Sequence, residues 1–435
     1  MTGRRRIRNT HLPAFAQPFR ATAGKLAALI ACASLTVGCG VIPGVTGGAG
    51  DDPITVMTWA PQDTKATNKP GMPALALAYA RSINAQGGLN GRKLRVLNCN
   101  DHNDSVSAAK CAERAVDEKV VAVVGSYSQH ADSFFPTLES AGIPYIGGYG
   151  VTGAEFTSPL SYPVNGGQPS LLAGLGRELA EECGPVALVR PDSIAGDELP
   201  ALLNSGLSAG GHADAADQLA AEDATEYSAH SQQALTYTTS DPANAGCVVP
   251  ALGDRTSTFM DSFRRGREES ADVRTATVLG SVDQTVIDAS GGKSGPYEGA
   301  YITGWYPVSS DRRWDGLKEV ISKHAFGDNR IDPSDAGVQT TWIAYTVLKA
   351  VVESIGDDPV TARAVRRALD NGLQISTGGL TPKLSWEHSE SLASVGLPQL
   401  VNADVTLQVV RDGRLVAARK GFIDVTKTLL QADLA

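Results

Sequence analysis

No apolar run in this chain reaches eighteen residues, so no segment is long enough to cross a roughly 30 Å hydrocarbon core as a helix. Basic residues are outnumbered, with 38 Lys and Arg against 47 Asp and Glu and a formal net charge of -9. That balance offers no positive field for nucleic acid. The signatures of catalysis are missing too: there is no G-x-S-x-G elbow between strand and helix, no H-E-x-x-H helix and no P-loop. The seven histidines are scattered, none with a Cys or Ser partner at a characteristic spacing. No residue is a candidate for catalysis, and the reading is of a non-enzyme without a cofactor.

The chain does hold six cysteines and an unusual N-terminus. A basic stretch containing Arg4, Arg5, Arg6, Arg8, Arg20 and Lys25 precedes the apolar run 26–37, "LAALIACASLTV". About a dozen residues suit the apolar region of an export signal rather than a membrane span. The run ends in "LTVGC", which resembles the lipobox of bacterial lipoproteins, although Thr36 stands where a larger aliphatic is usual. The expectation is a lipoprotein signal over 1–38, a lipidated Cys39, and a Gly-rich flexible linker over 39–53.

Export places the remaining Cys99, Cys111, Cys183 and Cys247 in an oxidising compartment. "NCNDHNDSVSAAKC", 98–111, offers Cys99, Asp101, His102, Asp104 and Cys111, all types that zinc accepts. No other Cys or His cluster completes a tetrahedral set. "RKLRVLN" reads as a strand and "SVSAAKCAERAVDE" as a helix, so a short turn brings Cys99 and Cys111 together as a disulfide. Asp101 and Asp104 then either border a ligand or cap the helix, and the cap is favoured.

The whole chain is 42% hydrophobic and 20% charged, a globular composition, and the part after the linker is longer than one core usually organises. "ITVMTW", "KLRVLN", "VVAVVG" and "IPYIGG" alternate with helical segments at 72–86, 107–118 and 132–142. The pattern restarts with "PVALVR", "CVVPAL" and "TATVLG" between further helices. Alternation of this kind predicts an α/β protein with two doubly wound parallel-sheet lobes.

"INAQGGLNGRKLRVLNCNDHNDSVSAAKCAERAVDEKVVAVVGSYSQ" resembles the opening of type I periplasmic solute-binding proteins of the branched-chain amino acid class. The resemblance continues in order through "AGIPYIGG", "PVALVRPDSIAGDEL", "TEYSAHSQQALTYTTSDPANAGCVV", "GVQTTWIAYTVLKAVVES" and "LQVVRDGRLV". It implies two lobes joined by three hinge crossings, near 162–164, 305–308 and 384–386. The first lobe is then 54–163 plus 307–384, and the second 164–306 plus 385–435. Cys183 and Cys247 each precede a second-lobe strand at the edge away from the cleft, which predicts a second disulfide.

Ligands of open α/β sheets sit beyond the carboxyl ends of strands. The resemblance implies a carboxylate seat at Ser126, Tyr127, Ser128 and the backbone of Gly147, Gly148 and Tyr149. In the second lobe Asp192, Asp254 and Asp283 follow strand ends. Asp283 is the first choice to meet an ammonium, with a helix N-cap as the alternative. Where relatives carry Ser, Thr and Ala, this chain has Tyr127 and Tyr149, either for a flat ligand or as walls that shrink the site. Trp59 is a third wall or buried packing. "GYGVTG", 148–153, spells G-x-G-x-x-G, but it follows the fourth strand of its lobe and lacks the acidic residue a dinucleotide ribose requires.

The expected protein is a monomeric, lipid-anchored solute-binding protein on the outer face of the bacterial cell membrane. It would deliver an amino acid or similar small polar ligand to an ABC permease. A ligand-sensing receptor subunit built on the same clamp is the alternative.

Overall fold

A computed structural model describes residues 52–432, apart from 66, 194–195, 222–223, 269–271 and 388–395. The expected signal, Cys39 and nearly all of the linker lie outside the described residues. All described residues belong to one compact unit, Gly47–Ala435.

The first half of the chain runs β1 (Ile54–Trp59), α1 (Gly71–Ala85), β2 (Leu94–Cys99), α2 (Ser105–Asp117), β3 (Val123–Val124), α3 (Ala131–Ala141), β4 (Tyr145–Ile146), α4 (Ala154–Thr157) and β5 (Ser161–Tyr162). Its strands form an all-parallel sheet in the order β2-β1-β3-β4-β5. All six residues of β1 are buried. Helices cover both faces of such a sheet, which is why its central strands read as unbroken apolar runs instead of alternating. Local chemistry sets the helix ends. Asp104 caps α2 by accepting from the Ser107 amide at 2.8 Å, as the favoured reading of that acidic turn has it. Gly142, at φ +67°, closes α3.

The chain then continues through α5 (Gly167–Glu182), β6 (Val186–Pro191), α6 (Leu199–Ala209), β7 (Ala216–Ala220), α7 (Ser228–Thr238), β8 (Gly246–Pro250), α8 (Thr256–Gly266), β9 (Val273–Val278), α9 (Gln284–Ala289) and β10 (Tyr301–Gly304). These strands make the parallel order β7-β6-β8-β9-β10, the same winding as the first sheet. Three helices follow, α10 (Asp315–His324), α11 (Ala336–Ile355) and α12 (Ala362–Asp370). They return to the first lobe, where α1 packs on α10 and α11.

The last strands, β11 (Asp404–Arg411), β12 (Arg414–Ala417) and β13 (Ile423–Asp424), rejoin the second sheet, and α13 (Thr426–Leu429) packs on α5 and α6. The two doubly wound parallel-sheet lobes expected from the sequence are present, and the second carries an antiparallel extension. β11 pairs antiparallel with β10 and with β12, and Asp412 and Gly413, both at positive φ, form the tight turn between β11 and β12. The fold is therefore mixed α/β with two lobes.

Both expected disulfides form. Cys99–Cys111 joins the end of β2 to α2, and Cys183–Cys247 joins the end of α5 to β8, each with Cα atoms 5.8 Å apart. Cys99 and Cys111 are thus not available as thiolate ligands. Among the described residues no group of His, Cys, Asp and Glu is arranged to hold a metal ion, and no helix is long and apolar enough to cross a membrane.

Candidate ligand-binding site

The loop after β4 meets the loop after β9 between the lobes, where the Tyr149 hydroxyl lies against Gly280. At the end of β3 the chain turns sharply at Gly125, with φ +60° and no room for a Cβ against Thr341. Thr341 of α11 then donates to the Gly125 carbonyl at 3.0 Å, pinning the loop to the helix behind it.

That pinning commits much of the expected carboxylate seat to the protein itself. Ser126 Oγ accepts from the Trp59 amide at 3.1 Å, and the Ser126 carbonyl accepts from the Tyr149 amide at 3.1 Å. The Gly147 amide donates to the Tyr162 carbonyl at 2.9 Å. Ser128 Oγ accepts from the His130 amide at 3.1 Å, and its hydroxyl lies against the buried Asp101 carboxyl, a poor neighbour for a second carboxylate. Gly148 makes room for the Tyr145 ring and Glu155. These contacts shape the two loops from beneath.

Trp59 is buried, in keeping with the packing alternative. It is the last residue of β1 and its ring packs into the core, 5.0 Å from the Phe134 ring and 5.9 Å from Tyr145.

Glu155 supports the second loop. It is fully enclosed and accepts from the amides of Gly150 at 2.6 Å and Val151 at 2.9 Å. Burial pushes its carboxyl up to about 8, against the pull of those amides.

Tyr149 and Asp283 lie where the two lobes meet, and Tyr127 packs on Tyr149. The Tyr127 and Tyr149 rings stand edge to face at 5.0 Å, and Tyr149 meets Trp305, on the connection after β10, at 5.2 Å. The Tyr149 hydroxyl reaches across to Gly280 of the second lobe, in the space where a Cβ would otherwise sit. Asp283 caps α9 by accepting from the Val286 amide at 2.9 Å, so the capping alternative holds. Its carboxyl also faces the first lobe: burial raises its pKa, as do Asp335 and Asp332 from across the cleft, while the Val286 amide and Lys69 oppose the shift.

Sequence reasoning missed Lys69 and Asp335, which stand in no motif and are 266 positions apart. The Lys69 ammonium lies 5.6 Å from the centre of the Tyr149 ring and 3.3 Å from Asp335 Oδ2. Asp335 also caps α11 through the Val338 amide at 2.9 Å. Beside them Thr285, in the first turn of α9, donates to Asp332 and lies 3.2 Å from Ser334 Oγ. The cleft thus pairs aromatic faces with one ammonium and three carboxylates, a setting that can orient a small molecule carrying charges of both signs.

Asp192 is exposed at the end of β6 and makes no part of this cluster. The side chain of Asp254 lies outside the described ones. Gly206–Gly210 spells G-x-S-x-G, but it runs through the last turn of α6 to the glycine that caps it, so it is not a nucleophile elbow.

A family model described as periplasmic binding protein matches residues 63–390. Among solved structures, an extracellular ligand-binding receptor from Verminephrobacter eiseniae shares the fold with a TM-score of 0.68 at 16% identity, covering 83% of this chain and 99% of that one. A branched-chain amino acid ABC transporter protein from Thermus thermophilus with bound valine gives 0.65 at 15% identity, over 86% of this chain and 97% of that one. A leucine-binding protein from Thermotoga maritima gives 0.62 at 14%, over 85% and 99%. No functionally curated protein matches the sequence significantly.

Proposed function

Since the chain belongs to the periplasmic binding protein family, and so to a family of extracytoplasmic ligand-binding proteins, we propose that it captures an amino acid or related small polar compound between its lobes and delivers it to an ABC importer. The observation that carries this reading is the cross-lobe cluster of Tyr149 with Gly280, Lys69 with Asp335, and Asp283. Contacts between lobes exist only when the clamp is closed, so a ligand that adds to them selects that state. Lys69 receives the ligand's anionic group, Asp283 and Asp335 its ammonium, and Tyr127 and Tyr149 its apolar body. The lobes are 54–163 plus 307–384 and 164–306 plus 385–435, and closure bends the three connections between them.

On this reading the protein works as a monomer that performs no turnover. Cys39 carries the lipid that holds it at the membrane, and the segment after it is the tether. Three proteins of this fold named above are described by ligand binding or by branched-chain amino acids, which supports the ligand class. A thermal-shift screen of the purified protein against the common amino acids tests it. Ligand at a hundred times its Kd stabilises by about 2.7 kcal/mol, and a flat response across the whole set would dispose of the amino acid assignment.

A further inference from the structure

Toward the hinge side of the cleft lies a small cavity with room for a group about the size of one water molecule. Both lobes and one connection build it. Ser334 and Gln339 come from the first lobe, Leu279, Gln284 and Gln408 from the second, and Val308 from the connection after β10. None of the lining side chains is charged.

Gln408 is the informative residue. It sits in β11 and is only 2% exposed. Its Nε2 donates to the Tyr306 carbonyl at 2.9 Å and to Thr406 Oγ1 at 2.9 Å. A carbonyl can only accept, so this pair fixes which end of the amide is nitrogen. Gln408 Oε1 is left buried without a hydrogen-bond partner, and Gln408 is one of the residues that line the cavity. Buried acceptors are nearly always satisfied, and one left open at the junction of two closing lobes marks a place for a donor from elsewhere.

We propose that this cavity is a second subsite of the cleft, one that takes the uncharged hydrogen-bond-donating end of the ligand, a carboxamide N–H or a hydroxyl O–H, onto Gln408 Oε1. The proposal rests on the reading of the cleft as a solute site. It narrows the ligand to compounds with a neutral polar tail and sets this protein apart from one that selects aliphatic side chains. A carboxylate tail is excluded by the same oxygen, which would meet it lone pair to lone pair.

Calorimetric titration with shape-matched pairs tests this: asparagine against leucine, and glutamine against methionine. In the wild-type protein the amide member of at least one pair binds tenfold or more tighter than its partner. In Gln408→Leu, which removes the acceptor, that ratio falls to about one. Gln408 also holds the Tyr306 carbonyl, so Leu279→Phe, which fills the cavity and leaves the Gln408 hydrogen bonds in place, is measured beside it, with the unfolding midpoint of each variant. Leu279→Phe also brings the ratio to about one. Equal binding within both pairs, or an amide preference that survives in a folded variant, overturns the subsite and means that the cavity holds water only, while the solute-binding reading stands. Failure of all four compounds to bind the wild-type protein overturns both.

Discussion

The hydroxyl of Tyr149, on the first lobe, occupies the space that a side chain on Gly280, on the second, would fill. Gly280 is also at φ +98°, a backbone that L side chains rarely adopt. Gly280→Ala therefore props the closed lobes apart at the point where they meet. The expected outcome is a loss of ligand affinity of about tenfold or more, roughly 1.4 kcal/mol. Tyr149→Phe in the same chain restores the steric share of that loss and leaves the backbone share. Affinities of the four proteins in a double-mutant cycle read the coupling directly.

Asp283 combines a cap and a charge, and two substitutions separate them. Asn caps as well as Asp does, so Asp283→Asn keeps α9 intact while removing the negative charge from the cleft. A ligand ammonium held there makes Asp283→Asn bind tenfold more weakly with an unchanged unfolding midpoint. Asp283→Ala additionally loses about 1 kcal/mol of stability. Unaltered affinity in Asp283→Asn would assign the residue to capping alone.

Glu155 makes stability depend on pH with a definite sign. Its carboxyl is pushed up to about 8 in the folded protein from an ordinary 4.5. Between those values the folded chain holds a proton that the unfolded chain has released. Its contribution is full below about 4.5, falls as pH rises, and is lost above about 8. Denaturant unfolding from pH 5 to pH 9 should show a decline of a few kcal/mol from this group. In Glu155→Gln the decline is shallower, whatever the mutation does to stability at pH 5. Parallel profiles for the two proteins would show that Glu155 does not titrate in this range.

The two disulfides close loops of different length, with sequence separations of 12 and 64. In the chain-entropy model they stabilise by about 3 and about 4 kcal/mol. Replacing Cys183 and Cys247 by Ala should thus lower the denaturation midpoint more than replacing Cys99 and Cys111. Neither pair touches the cleft cluster, so ligand affinity is retained in both. Mass spectrometry of the non-reduced wild type, which should find no free thiol at the four positions, is the accompanying check.

The α/β alternation is legible in the sequence because parallel strands buried on both faces spell themselves as "VVAVVG" or "PVALVR". β7 is not, since an edge strand tolerates the polar "ADQLA" and alternates in burial. The disulfides are legible once the expected export signal is taken to supply an oxidising context. At the cleft, Tyr127, Tyr149 and Asp283 are legible by position, since each follows a strand. Ser126 and Ser128 are legible in the same way, and their hydroxyl oxygens also accept from the Trp59 and His130 amides, which no local pattern announces. Lys69 and Asp335 meet only through tertiary structure, as α11 docks on the first lobe, and no local pattern announces such a pair. Gln408 is hidden in the same way: one polar residue in a buried strand, informative only once the partners of its two amide ends are known.

Each lobe is completed by late segments of the chain. The first lobe takes α10 to α12 from beyond residue 314, and the second takes β11 to β13 from beyond residue 403. A polypeptide that emerges from its N-terminus first therefore cannot finish either lobe until it is nearly whole. β10 waits about a hundred residues for β11, with one edge unpaired. Such a chain stays open late in its own synthesis, a property that suits a protein threaded through a membrane before folding and exposes it to edge pairing with other chains until the last strands arrive.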